Sequence, residues 1–388
     1  MAKTNNEQVK LQRGRANFNF IGRAKITDFT YKLDEISEKS GYQYSRLNLG
    51  VDTGNGNVVY AELMGGFFPN GRDNKGNNRD NLIYVNSKED FKQTFTIDFE
   101  DRFNEEILKT VNENNFIKVG LEKYEEDGKE KTLIKKFLSA YDAIDYISEH
   151  LGDGMVVNVK GNIRYSMYND ETQMRREITS IFLSKATEEK FKAGFTQTIL
   201  IDKDSVSKLD KETNEYLIHA KVVDYLKEYN GKEVKRNIPF AMNYSFKLDV
   251  ENPDRTKKVL TKFFKVKKGV TELIMEGEFV EGVQMGEVTE DDIPDDLKEL
   301  IELGLYTKEE ILGKMVIKGD RVSKAYLTKP YIQKTDEGVK FFINEEKYQE
   351  EDLLLDFMYE DEDEKDTSVD DAEEDVNEDD DDSWLDEL

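Results

Sequence analysis

The chain has 388 residues, with 83 acidic side chains against 56 basic ones for a net charge of −27, two His and no Cys. At roughly 150 residues per domain this length makes two or three domains, enough to bury sizeable cores. The lack of Cys excludes disulfide scaffolds, thiolate metal sites and thiol nucleophiles, and two His argue against a histidine-rich metal centre.

The first 16 residues form a basic arm without an apolar leader core, and no run of about 18 apolar residues occurs anywhere, so a soluble, cytoplasmic protein is expected. From 17 onward short strands rich in Val, Ile, Phe, Tyr and Thr alternate with Gly and Asn punctuation. A first module is expected over 17–190, with an insertion at about 68–130 that opens on a Gly- and Asn-rich run (68–79) expected as a mobile loop. Residues 136–151 place Phe137, Leu138, Tyr141, Ile144, Ile147 and Leu151 at helical spacing before Gly152. A second module is expected over 191–335, with a helix at 254–266 and a weaker helical region at 294–312 inserted before its last strand. Residues 336–358 read as a further strand and short helix. The final segment, 359–388, is expected to be disordered: from Glu360 on it holds eighteen acidic residues against Lys365 alone, and it ends in the only Trp, Trp384, beside Leu385 and Leu388.

The two modules share four fragments in the same order. Residues 23–29 match 219–225; the turns Asn55-Gly56 and Asn230-Gly231 follow; 159–163 parallels 275–279 around Gly161 and Gly277; and 182–185 parallels 326–329. Strand, Asn-Gly hairpin, strand, helix, glycine-containing strand and closing strand is the order of the OB-fold, a five-stranded Greek-key barrel. The expected class is therefore mainly β, a tandem OB-fold with inserted helices and an acidic C-terminal tail.

Phosphate-cradling, zinc-protease, nucleophile-elbow and dinucleotide motifs are absent, and the run from Asp73 lacks the twelfth-position Glu of a calcium loop, carrying Tyr84 there. No catalytic residue, metal or cofactor is expected, and His150 and His219 read as structural. What the strands carry is cations interleaved with rings: Arg13, Arg15, Arg23, Lys25, Tyr42, Tyr44, Arg46, Arg164, Tyr168, Arg175 and Arg176 in the first copy, and Lys221, Tyr225, Tyr229, Lys232, Lys235 and Arg236 in the second. The insertion adds Arg72, Lys75 and Arg79. Exposed rings stack on unpaired bases while Lys and Arg neutralise phosphates, a chemistry suited to a single strand. Alternation puts Phe18 and Phe20 on one face of their strand and Arg23 and Lys25 on the other, so some of the rings belong to the core.

Basic, aromatic strands in barrel order followed by Asp379-Asp380-Asp381-Asp382-Ser383-Trp384-Leu385-Asp386-Glu387-Leu388 resemble the single-stranded DNA-binding proteins of replication, most nearly the phage-encoded kind with tandem OB-folds. The tip departs from the Pro-Phe ending of the bacterial proteins. The resemblance implies a non-catalytic protein that coats single-stranded DNA in phage DNA replication and recombination, in the host cytoplasm. It also implies an acidic tail that competes with DNA and recruits replication or recombination proteins through Trp384, Leu385 and Leu388. A DNA mimic, an acidic interaction protein that occupies a host enzyme's nucleic-acid site, is the alternative.

Overall fold

Two Asn-Gly turns, one in each half of the chain, adopt the left-handed backbone that a tight hairpin requires. Asn55 and Gly56 have φ of 53° and 74°, and Asn230 and Gly231 have 48° and 76°. The structure, a computed structural model, describes residues 9–285, 318–336 and 338–355, with isolated positions between 293 and 308.

The first half runs through β1 (Ala16–Lys25), β2 (Tyr31–Ile36), β3 (Gln43–Asp52), β4 (Val58–Phe67), β5 (Leu82–Asn86), β6 (Thr94–Asp98), α1 (Glu105–Leu108), β7 (Ile117–Glu126), β8 (Lys129–Phe137), α2 (Ala140–His150), β9 (Val156–Tyr168) and β10 (Glu171–Leu183). The second runs through β11 (Lys192–Ile201), β12 (Glu215–Tyr229), β13 (Lys232–Lys247), α3 (Pro253–Val259), β14 (Val270–Met285), β15 (Lys318–Pro330), β16 (Ile332–Thr335), β17 (Gly338–Phe341) and β18 (Ile343–Tyr348). The protein is mainly β, and fourteen of the strands join in one sheet.

That sheet closes on itself twice. In the first ring β1 pairs with β3, β3 with β4, β4 with β10, β10 with β9, and β9 returns to β1; only β4 and β10 run parallel. In the second ring β11, β12, β13, β15 and β14 repeat the circuit, with β13 and β15 parallel. In each ring a helix stands between the third and fourth strands in chain order. Ser139 caps α2 by accepting the Tyr141 amide at 3.2 Å, and Ala143, Ile144 and Ile147 are buried. The expected helix at 254–266 is α3 continued by a π turn over Leu260–Phe264.

The rings share one core. β1 pairs antiparallel with β11, and Phe18 and Phe20 meet Phe279 and, through it, Phe195 at centroid separations of 4.6 to 6.1 Å. The first Asn-Gly hairpin docks on the second ring, where Asn57 donates to the Phe279 carbonyl at 3.1 Å and accepts the Glu281 amide at 2.8 Å.

Gly161 and Gly277 occupy matching places. A Cβ on Gly161 would lie 1.9 Å from the Glu177 carbonyl and 2.6 Å from the Phe18 ring; on Gly277 it would lie 2.3 Å from the Tyr326 carbonyl and 2.2 Å from the Phe195 ring. Two of the expected fragment matches are out of phase. Residues 23–25 end the first strand of one ring whereas 219–225 lie in the second strand of the other. Ile178 faces Gly161 as Leu327 faces Gly277, so the closing strands match five residues earlier than 182–185 implies. Similar residue character on amphipathic strands does not by itself specify register.

The insertion adds a β5–β6 hairpin over its own cluster of Val85, Ile97, Val111 and Phe116, and a β7–β8 hairpin that extends the first ring's sheet beside β10. The Gly- and Asn-rich run is not a loose loop. Asp73 accepts from the Lys75 and Asn77 amides, the Asn77 side chain and Arg79, and Asn74 bonds back to Glu38 and Ser40. After β15, β16 and β17 form a separate hairpin, β18 pairs with β14, and a short 3-10 turn follows at Glu350–Leu353. Most of the helical region at 294–312 and all of 359–388, with Trp384, Leu385 and Leu388, lie outside the described residues.

Candidate nucleic-acid interface

Residues 9–15 of the N-terminal arm cross from the first ring to the second, anchored by Leu11. Leu11 is buried with Leu200, Val223, Val270, Tyr348 and Leu353, and its carbonyl accepts from the Asn237 side chain at 2.8 Å. This crossing carries Arg13 to Asp224 on β12, with Nε 2.9 Å from Oδ1. Asp224 is 3 % exposed and also accepts the backbone amides of Tyr165 and Tyr225, so strand β9, strand β12 and the arm converge on one buried carboxylate.

Two adjoining cavities open on either side of that junction. One, of about 840 Å³, lies between the β9–β10 hairpin and the end of β12 and includes Arg164, Tyr168, Arg175, Tyr225 and Lys227. The other, of about 970 Å³, lies between the arm and the start of β13 and includes Lys10, Lys235 and Arg236. Arg13 and Tyr225 belong to both, which makes the two a continuous groove. Its walls hold seven Lys or Arg and four Asp or Glu, a local excess of positive charge on an acidic protein. Tyr168 and Tyr225 are each 49 % exposed, with ring surface available for stacking.

The cations are held at fixed positions by carboxylates. Arg164 pairs with Glu177 at 3.0 Å and reaches Asp224 at 3.9 Å, and Lys235 pairs with Glu233 at 2.6 Å. Glu233 beside it raises the Lys235 pKa, which secures its positive charge. Lys10 and Lys227 have no ion-pair partner among the described residues.

Arg13, Arg164, Tyr168, Arg175, Tyr225, Lys235 and Arg236 are thus brought together out of the residues expected to bind. Others lie elsewhere. Arg15 sits 5.0 Å over the Tyr331 ring, and Arg23 pairs with Glu188 at 2.8 Å, with exposed Lys25 further along the same strand. Arg46 pairs with Glu62 at 3.2 Å, and Lys221 borders a separate small cavity beside His219. Arg72, Lys75 and Arg79 belong to the Asp73-centred hairpin, where Arg79 lies 3.1 Å from Asp73. Tyr42 is half-buried against Phe68, its ring centroid 5.0 Å away, and burial raises its hydroxyl pKa.

Two expected contacts are corrected outright. Tyr44 is 5 % exposed, on a strand paired on both sides by β2 and β4, and its ring is not open to a ligand. Arg176 is 8 % exposed and faces inward across the seam to Glu281, its guanidinium 4.1 Å over the Phe279 ring. Lys10 and Lys227 also line the groove, outside the residues expected from the sequence. For Lys227 a signal existed, since Tyr225, Lys227 and Tyr229 recur at alternate positions along β12.

A protein-family model described as YorF matches residues 17–296, a span that takes in the first ring and the second as far as β14. No curated protein matches the chain. Among solved structures, a deletion mutant of the single-stranded DNA binding protein from Thermus aquaticus is similar at 8 % identity and a TM-score of 0.28, over 74 % of this chain and 100 % of that one. A likeness at that level carries no weight for fold or function. Among the described residues no helix is long and apolar enough to cross a membrane.

Proposed function

We propose that this chain, which belongs to the YorF family, is a non-catalytic protein that binds single-stranded DNA along the groove between its two rings. The observation that carries this reading is the convergence of Arg13, Arg164, Arg175, Lys235 and Arg236 with the half-exposed rings of Tyr168 and Tyr225. Cations at this density neutralise a phosphate backbone, and open tyrosine faces stack on bases that a duplex would keep paired. Neither contact demands a particular sequence, as coating requires.

The ring topology supports the same reading. Each circuit, with a helix between third and fourth strands and third and fifth strands parallel, has the order of an OB-fold, whose second and third strands and fourth-to-fifth loop bind oligonucleotides. Here the end of β12, the second strand of one ring, and the turn that leads into its third strand face the fourth-to-fifth hairpin of the other, β9–β10. We read 17–190 and 191–335 as tandem OB-folds, acting in DNA replication or recombination of a phage.

The acidic tail enters the proposal through its point of departure. Leu354 and Leu355, the last described residues, border the groove beside the arm, Lys235 and Arg236. Residues 360–388, with a net charge of −17, therefore follow within a few residues of the cations they would mask, while Trp384, Leu385 and Leu388 offer an apolar tip to replication or recombination proteins.

The test is quenching of intrinsic fluorescence by oligo(dT) across a salt series. Tyr168→Ala and Tyr225→Ala should each weaken binding by about 1 to 3 kcal/mol, with Tyr84→Ala on the insertion as an unaffected control. Failure to retain the oligonucleotide at all would instead favour a mimic of DNA, and unchanged affinity in both tyrosine variants would remove the groove from the mechanism.

A further inference from the structure

The second ring carries another cationic surface, at the far end of the β12–β13 hairpin from the groove. Between Arg255 and Lys268 the chain places seven Lys or Arg and no Asp or Glu. Lys257, Lys258 and Lys262 border a shallow cavity of about 410 Å³ along α3 and its π turn. The neighbouring carboxylates engage this surface weakly: Arg255 to Asp249 at 3.7 Å, Lys257 to Asp254 at 3.9 Å and Lys268 to Glu346 at 3.9 Å, all well exposed. Lys258, Lys265 and Lys267 have no ion-pair partner among the described residues.

Apolar surface adjoins these cations. Phe263 meets Phe341 of the β16–β17 hairpin edge-on at 5.2 Å, and Lys262 lies over both rings. That hairpin is a separate two-stranded sheet, with Ile332, Val339 and Phe341 exposed by 58, 63 and 39 %. Ile332 and Phe341 are cross-strand partners, so their side chains and that of Val339 fall on one face.

We infer that this Lys-rich, apolar-edged face of the second ring receives the C-terminal tip of the same chain, with Asp379–Asp382 on the lysines and Trp384, Leu385 and Leu388 on the hairpin. Charge and apolar content complement each other on both sides. The chain length fits as well. From Lys235 at the groove to Lys247 near α3, β13 spans up to about 40 Å at ~3.3 Å per residue. Leu355 and Trp384 are separated by enough sequence to reach that far, since a chain of this length covers roughly 30 Å as a coil and more when extended, which places the tip near this face at about a millimolar effective concentration. Docking there conceals the apolar tip and holds the tail off the groove; masking of the groove and capture of other proteins then belong to the released tail.

Trp384 is the only Trp and reports its own surroundings without DNA, so the outcome is independent of the DNA-binding proposal. In the full chain at low salt its emission should be blue-shifted from that of a free indole. It should return to the solvent value at high salt, in K257E/K258E/K262E, and in D379N/D380N/D381N/D382N, which alters only the tail. Solvent-like emission in the full chain at low salt, or a blue shift that survives both variants, overturns the inference. A shift lost on dilution far below millimolar assigns the contact to a second copy, and also overturns it. An equal loss of oligo(dT) affinity from K257E/K258E/K262E in the native and the W384A/L385A/L388A backgrounds overturns it in favour of a second DNA surface.

Discussion

Arg176 on β10 and Glu281 on β14 form an ion pair across the seam between the rings, with Nη1 3.2 Å from Oε2 and the same Nη1 donating to the Tyr60 carbonyl at 3.0 Å. The pair is largely buried, and the guanidinium also covers the Phe279 ring. It ties the closing strand of one ring to the fourth strand of the other, so a side chain with the composition of a DNA contact serves instead as a joint.

Removing one member strands the other charge in the seam. We expect Arg176→Ala to destabilise the protein by about 3 kcal/mol or more, and Arg176→Met combined with Glu281→Leu to restore much of the loss. Urea unfolding midpoints check this. A single variant that unfolds with the native protein would return Arg176 to the surface.

Groove cations and insertion cations should separate in salt dependence. For a single strand each neutralised phosphate contributes about 0.7 to the slope of log K against log salt. Arg175→Ala and Lys235→Ala should each flatten the slope by about that amount, while Arg72→Ala and Lys75→Ala leave it unchanged. Equal effects from all four would mean that the strand runs over the insertion as well.

The two ring glycines should respond alike. Gly161→Ala and Gly277→Ala drive a methyl into the closing-strand carbonyls of Glu177 and Tyr326, and each should lose about 1 to 3 kcal/mol or more. Gly194→Ala, whose nearest neighbour would be 3.5 Å away, is the control. Thermal melting of the three variants decides whether the rings are built on one plan.

Hydrogen bonds from the Asn77 side chain, then from the Asn77 and Lys75 amides and Arg79, hold the Asp73 carboxyl down to about 2, from an ordinary value of 3.8. A depressed acid stabilises its surroundings above its unfolded pKa and ceases to do so as pH falls through the folded one. The 71–79 hairpin should therefore keep its amide protection above about pH 4 and lose it on approach to about pH 2. Hydrogen exchange at Lys75 and Asn77 measures it, and Asp73→Asn should show the loose behaviour at every pH.

Much of each ring was legible from local chemistry. Asn-Gly pairs impose positive φ wherever they fall, Ser139 and the helical spacing of Ile144 and Ile147 define α2, and alternation separates Phe18 and Phe20 from Arg23 and Lys25 whatever the rest of the chain does. Register was harder, because the 23–29 and 219–225 fragments look alike yet occupy different strands of their rings.

By itself the order of residues determined which segments are strands, where they turn and which side chains share a strand face, because those properties depend on neighbours within a few positions. Only the tertiary structure decided which cations meet. Arg13 reaches the groove because Leu11 anchors the arm on the second ring, Arg175 faces outward while adjacent Arg176 is enclosed by Glu281 and Phe279, and Tyr44 is buried. Whether a charged or aromatic side chain meets solvent, a ligand or a buried partner depends on groups more than a hundred residues away, such as Glu281 for Arg176, and no local pattern encodes that distance.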